Sequence, residues 1–268
     1  MSPVDFEPFA LELAAVAGEV TLPGFRQGLD VVDKGPDGAF DPVTAADRDA
    51  EAALRRVISG RFPGHGVIGE EYGQDRPDAD WVWVLDPIDG TKNFVRGVPV
   101  WATLIALVDE GEPVVGVVSA PALGKRWWAA KGMGAYMGRS LAAATRLRVS
   151  NVAKLSDASL SYSSLGGWKE RGNLDEFLGL TEDVWRTRAF GDFWSYCMVA
   201  EGSVDIACEP ELNLYDMAAL VPIVVEAGGR FTSLEGQDGP FGGNALATNS
   251  ILHSEVLQRL NPYLDDLL

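Results

Sequence analysis

The chain has 268 residues, 47% of them hydrophobic, with 39 acidic against 22 basic side chains and a formal charge of −17 at pH 7. That length allows one large domain or two closely packed ones, and the charge argues against nucleic acid or an anionic membrane surface as a partner, since both attract positive faces. Cys197 and Cys208 lack metal-type spacing and read as reduced core cysteines of a cytoplasmic protein, and His65 and His253 have no partners for a zinc site or a Ser-His-Asp triad.

The first residues are acidic and lack a signal-peptide pattern, and no apolar run approaches the roughly 18 residues of a membrane span. Phe6, Phe9, Leu13, Val16 and Val20 recur at helical spacing, which predicts an amphipathic helix over 5–25 that ends near Pro23-Gly24. A loop rich in Gly, Asp and Pro follows at 33–42, then a helix over 44–61. Short apolar runs predict strands at 67–69 and 81–85. Paired runs at 102–108 and 114–119 flank Asp109-Glu-Gly-Glu-Pro113, and runs at 127–131 and 135–137 flank Gly132-Met-Gly134. The adjacent Trp127 and Trp128 fit either core or an interface. Beyond 150 the pattern alternates: strands at 159–163, 184–188, 204–208 and 230–232, helices at 173–180, 193–201, 215–227 and 250–260, with Asn249 as cap of the last. Alternation of this kind predicts an α/β layered architecture. The chain divides near residue 145 into an α+β half (1–145) and an α/β half (146–268).

Four places put carboxylates at the ends of apolar elements. Asp47 closes Asp41-Pro-Val-Thr-Ala-Ala-Asp47, Glu70 follows Val67-Ile-Gly69, Asp86 and Asp89 follow Trp81-Val-Trp-Val-Leu85, and Asp216 opens Tyr215-Asp-Met-Ala-Ala-Leu220. Taken singly, Asp47 fits a first-turn helix acid, Glu70-Glu71 a solvated loop and Asp216 an N-cap. Asp86 with Asp89 is harder to dismiss: a hydrophobic strand delivers both, and a Pro87-Ile88 turn lets them converge. Hard divalent cations want oxygen ligands, and with so few histidines and cysteines an all-oxygen site is the one this sequence can build. Gly90-Thr91 fits a plain turn, or amides that cradle a phosphate.

Together, Gly69-Glu-Glu-Tyr-Gly73, Trp83-Val-Leu-Asp-Pro-Ile-Asp-Gly-Thr-Lys-Asn-Phe94, the stretch 41–47 and Leu214-Tyr-Asp-Met-Ala-Ala-Leu-Val-Pro-Ile-Val-Val-Glu-Ala-Gly-Gly229 resemble the inositol monophosphatase family of Mg²⁺-dependent phosphatases, in order from about Phe6 to Leu260. The resemblance implies an αβαβα sandwich with metals between its halves, two or three Mg²⁺ per site, and a homodimer. It implies that Glu70, Asp86 and the Ile88 carbonyl ligate a first metal, that Asp86, Asp89 and Asp216 ligate a second, and that a third, weaker ion involves Glu70. It further implies that Asp47 and Thr91 orient the attacking water and that Gly90 and Thr91 bind phosphate.

Tyr215 and Lys92 depart from the inositol-specific pattern, which has Trp and Thr there. The segments 90–94 and 188–216 look more like the histidinol-phosphate phosphatase branch, so the expected substrate is a small phosphate ester bearing an amine. Asp192 and Glu209 fall where the family contacts the rest of the substrate, and also fit a helix N-cap and a loop acid. Lys92 and Arg188 are further candidates for the phosphate or a loop carboxylate. The rival expectations are an inositol or polyol phosphatase, and a non-catalytic regulatory protein on the same fold. The latter predicts eroded ligands or a basic patch, and the sequence has neither.

Overall fold

A computed structural model describes residues 2–27, 31–33 and 42–262, so most of the loop predicted at 33–42 lies outside the described residues. The first half runs α1 (Pro3–Gly24), β1 (Val31–Asp33), β2 (Pro42–Thr44), α2 (Ala45–Arg61), β3 (Gly66–Gly69), β4 (Gly73–Asp75), β5 (Trp81–Asp89), α3 (Thr91–Arg96), β6 (Ala102–Asp109), β7 (Glu112–Ala120), β8 (Lys125–Ala130), β9 (Gly134–Gly138) and β10 (Ala144–Arg146). The second runs β11 (Ser159–Ser161), α4 (Gly166–Arg171), α5 (Leu174–Asp183), β12 (Arg186–Arg188), α6 (Asp192–Glu201), β13 (Ile206–Glu209), α7 (Leu214–Met217), α8 (Leu220–Glu226), β14 (Arg230–Thr232), β15 (Ala245–Thr248) and α9 (His253–Leu260).

Two large sheets organise these elements, beside the small antiparallel pair β1-β2. Eight strands lie in the order β10-β9-β8-β7-β6-β5-β3-β4, antiparallel except for β3 beside β5. Five lie in the order β12-β11-β13-β15-β14, with β11 parallel to both neighbours. The period-2 geometry of a strand sends alternate side chains to opposite faces. On β5, Trp83 and Leu85 join α1 and α2 in one core, whereas Val84 joins α6 and α8 in another. The same middle core takes Ala207 from β13, while Ile206 and Cys208 face α5 and α9. The layers are therefore helix, sheet, helix, sheet, helix, the αβαβα sandwich. Both sheets are covered on both faces, which is why their central strands read as continuous apolar runs. Trp127 and Trp128 are both buried, on opposite faces of β8, so they are core.

Three differences from the predicted elements bear on the site. Strand β5 does not stop at Leu85 before a turn; it continues to Asp89 across an irregularity, with Asp86 opposite Leu104 and Asp89 opposite Ala102. Pro87 has no N–H to give the ladder, and the Thr103 hydroxyl donates to its carbonyl at 2.8 Å. The two acids thus sit on a bulge within the sheet. The helix predicted at 215–227 is two helices, α7 and α8, parted at Ala218-Ala219; Pro222 cannot donate to the Ala218 carbonyl and its ring crowds it. Glu209 is the last residue of β13 and buried, where a loop acid was the plainer expectation. Among the elements not predicted are strands β1, β2, β4, β10 and β15 and helix α4. Strands β4 and β10 are short and polar at the edges of the large sheet, and β15 (Ala-Leu-Ala-Thr) is too short and too fully buried to show a period. Asn249 caps the turn before α9: its Oδ1 accepts from the Leu252 N–H at 3.2 Å.

The parting at 218–219 lies directly on the large sheet. A Cβ on Gly116 of β7 would come within 2.2 Å of the Ala219 carbonyl oxygen and 2.7 Å of Pro222 Cγ. This close approach seats α7 beside β5. Gly116→Val is expected to lower stability by about 1–3 kcal/mol through overpacking. Urea unfolding tests this: a lower midpoint with unchanged slope supports it, and an unmoved midpoint shows that the helix pair is not seated through this contact.

Candidate active site

The bulge of β5 and the start of α7 meet between the two sheets. There, carboxylate oxygens of Asp86, Asp89 and Asp216 lie within 4.8 Å of one another. Asp86 is 1% exposed, and its Oδ1 is buried without a hydrogen-bond partner. Burial pushes its pKa well up, and the negative charges of Glu70, Asp89, Asp216 and Asp47 push it further. Asp89 is also pushed well up, by burial and then by Asp192 and Asp216, although the Phe193 N–H at the start of α6 donates to it at 2.8 Å. Asp216 is pushed up to about 6 by burial, against the hydrogen bond it accepts from the Asn213 N–H at 2.7 Å. It is therefore an N3 capping-box acid and a member of the cluster at once.

Such an arrangement is unfavourable by itself. Like charges at these separations repel strongly where water is excluded. The donors are all oxygens, and the buried Asp86 Oδ1 has a lone pair directed at nothing in the protein. This is the environment a hard divalent cation requires, so the residues fit the group that the sequence anticipated. Glu70 adjoins the cluster from the turn after β3; its N–H donates to the Leu85 carbonyl at 3.2 Å. The Ile88 carbonyl faces Thr91, whose hydroxyl donates to it at 2.8 Å.

Asp47, 1% exposed, is the N3 acid of the α2 capping box: its Oδ2 accepts from the Thr44 N–H at 2.8 Å and the Thr44 hydroxyl at 2.5 Å. Its Oδ1 lies 3.4 Å from Thr91 Oγ1. The plain reading of Asp47 and its place beside Thr91 are thus both correct descriptions of one side chain. Gly90 precedes α3 with φ of +82°, which glycine adopts without strain. A Cβ there would come within 3.0 Å of the Val100 carbonyl oxygen.

Across from Thr91 the segment 189–192 closes a cavity of about 410 Å³ lined also by Gly90, Lys92, Asn93 and Ser163. Asp192 opens α6 with φ of +49°. Its N–H donates to Ser163 Oγ at 2.9 Å and its Oδ2 accepts from Asn93 Nδ2 at 2.8 Å. Burial pushes it up to about 6 in spite of the opposing charge of Lys92. Glu209 lies behind it and is pushed up to about 8 by burial and by Asp192, with the Ser163 and Tyr196 hydroxyls acting the other way. Arg188 is not brought to this group. It is exposed at the end of the edge strand β12, with Nη1 donating to the Thr187 carbonyl at 2.7 Å, and it does not line the cavity. Trp194 packs on Phe190, ring centroids 5.6 Å apart.

Asn93, Ser163, Tyr196 and the Phe193 amide were not anticipated. Asn93 lies within the central motif and could have been flagged there. Ser163 and Tyr196 carry no local signal, because the pairing of β11 with β13 brings the first to Glu209 and the packing of α6 on β13 brings the second.

Comparison with known proteins accords with this geometry. A sequence profile of the inositol monophosphatase family matches residues 3–266. A histidinol-phosphatase of Mycobacterium tuberculosis is 56% identical, over 94% of this chain and 96% of that one. A histidinol-phosphatase of Streptomyces coelicolor is 57% identical, over 93% and 94%. Among solved structures, an inositol monophosphatase from Zymomonas mobilis superposes with a TM-score of 0.85 at 31% identity, covering 97% of this chain and 99% of that one. With its fold, its acid cluster and its full-length match in agreement, the chain belongs to the inositol monophosphatase family and is a phosphoric monoester hydrolase.

Proposed function

We propose that the chain hydrolyses L-histidinol phosphate to L-histidinol and phosphate, as a step of histidine biosynthesis. The observation that carries this choice is the pair of acids Asp192, half-buried on the wall of the cavity, and Glu209, buried close to it. Both are held above the usual carboxylate range by burial. A substrate with an ammonium and an imidazole gives two such acids their counter-charge, and a neutral polyol does not. The two curated histidinol-phosphatases that match along nearly their whole length support the same reading.

In this reading Glu70, Asp86, the Ile88 carbonyl, Asp89 and Asp216 hold two or three Mg²⁺. Bound there, the ions supply charge neutralisation for the phosphate and leaving oxygens and a water of lowered pKa. The protein's own groups do the rest. Asp47 anchors the Thr91 hydroxyl, which, with the Glu70 carboxylate, orients the attacking water. The amides of Gly90 and Thr91 hold phosphate oxygens, with Lys92 at the cavity mouth. Water attacks phosphorus in line, the ester P–O bond breaks, and the alcohol oxygen leaves and takes up the proton that the attacking water gives up. No side-chain nucleophile intervenes. Uncatalysed monoester hydrolysis is slow enough that enhancements up to about 10²¹ are known, and fixed charges and dipoles supply most of such an effect.

The chain is further proposed to act as a cytoplasmic homodimer in two halves, 1–145 and 146–268. The family resemblance supports the homodimer, and the unpaired, buried Cys197 and Cys208 support a reducing compartment. No helix among the described residues is long and apolar enough to cross a membrane.

Three outcomes are expected. Phosphate release with Mg²⁺ should favour L-histidinol phosphate over myo-inositol 1-phosphate by a hundredfold or more at equal concentration; comparable or reversed rates would return the enzyme to the polyol-phosphatase reading. Asp86→Asn should lower kcat by roughly 10²–10³-fold, while melting in EDTA no lower than wild type, because it relieves repulsion in the empty cluster. Activity retained at a tenth of wild type would contradict a ligand shared by two ions. Asp192→Asn should raise KM for the aminated substrate far more than for a polyol phosphate, and an equal rise on both would refute its role in selection.

A further inference from the structure

Helix α2 carries Asp47, Glu51 and Arg55 at four-residue spacing, one above the other on a single face. Asp47 reaches Thr91. The next two reach a different loop. Glu51 is wholly buried, 0% exposed. Its Oε2 accepts from the Glu71 N–H at 2.7 Å, and its Oε1 accepts from the Tyr72 N–H at 3.2 Å and from Arg55 Nε at 2.7 Å. Arg55 in turn donates Nη2 to the Gly73 carbonyl at 2.5 Å. The pair thus grips one stretch of backbone with both polarities, the carboxylate taking two N–H groups and the guanidinium a carbonyl.

The fit is close. A Cβ on Gly69 would lie 2.1 Å from Glu51 Oε1, so the carboxylate passes over a residue that has to lack a side chain. Between Gly69 and the gripped Glu71 stands Glu70, whose N–H is tied to the carbonyl of Leu85, the residue before Asp86. A buried carboxylate is costly to desolvate and is tolerated only when hydrogen-bonded. Ala50, Leu54 and Ile58 already pack the helix, and for packing alone an apolar side chain at position 51 would serve as well. The carboxylate is spent instead on the loop that bears Glu70.

We infer that Glu51 and Arg55 are positioning residues: they clamp the 69–73 turn so that the Glu70 carboxylate faces Asp86, and so set the affinity of the site for its divalent cation without touching it. This rests on the proposed function, in which Glu70 serves the cation. Since Asp47 stands on the same face of α2, one helix then aligns both the Thr91 turn and the Glu70 turn.

The test is calorimetric titration of Mg²⁺ into metal-stripped protein, for wild type, Glu51→Gln, Arg55→Met and Arg55→Lys. Glutamine turns one acceptor into a donor facing an N–H and should weaken Mg²⁺ binding at least tenfold. Methionine keeps the aliphatic stem and should weaken it by a smaller factor, with lysine between methionine and wild type. Amide exchange in 70–73 should quicken in the same order, while KM for the phosphate ester at saturating Mg²⁺ should change less than twofold. Folded variants that bind Mg²⁺ as wild type does would overturn the inference and leave the function standing. If Glu51→Gln does not fold, Arg55→Met decides alone by the same criterion. A wild type that takes up no Mg²⁺ would overturn the proposed function and this inference with it.

Discussion

The repulsion among buried carboxylates is the constraint around which the molecule is arranged. Asp86, Asp89 and Asp216 converge, with Glu70, Asp47 and Asp192 close enough to raise their pKa values, in a place that water screens poorly. Folding alone gains nothing from such a cluster, because each acid is either desolvated as an anion or obliged to keep its proton. The surrounding fold has to be stable enough to hold it until a cation compensates. The double sandwich supplies that stability: three apolar layers enclose two sheets, and the cluster sits at the seam where an irregular strand from one sheet meets a helix that leads to the other.

The backbone devices that build the seam are those that disturb regular structure. Pro87 interrupts the ladder of β5 and turns two acids on one strand toward the same side. Pro222 breaks the Asp216 helix, letting its first turn stand on the sheet while α8 packs beneath. Gly90, at positive φ, starts a new helix immediately after the second acid. Each costs regular hydrogen bonding, and each is placed where the site gains a directed carboxylate or a turn. Strain and irregularity at a functional site, offset by ordinary packing elsewhere, is the expected division of labour.

In the proposed function, selectivity has the same electrostatic origin as metal binding. Asp192 and Glu209 are held high by burial, and the hydroxyls of Ser163 and Tyr196 moderate Glu209. In the proposed function, this pair of acids beside the cluster favours a positively charged substrate as the cluster favours a cation. Lys92 is the basic side chain at that wall, and it is exposed.

What the sequence by itself determined is local and periodic. The amphipathic α1 and α2, the apolar strand ending in Asp86 and Asp89, the hairpin of β6 with β7, and the alternation beyond residue 150 all follow from spacings of a few residues, and the resemblance of four ordered motifs implied the family and its site. Only the tertiary structure decided the rest. That Asp216, more than a hundred residues beyond Asp89, shares its space depends on how α7 stands on the large sheet. Glu209 is buried because β15, which no pattern announced, pairs with β13 and completes the second sheet. Arg188 is set apart because β12 is an edge strand. In sequence Glu51 is one acid among many on a charged helix; it becomes a buried clamp only when the 69–73 turn is laid across it. Periodicity reports which face of an element is apolar, whereas a carboxylate's role depends on which distant backbone groups that face meets.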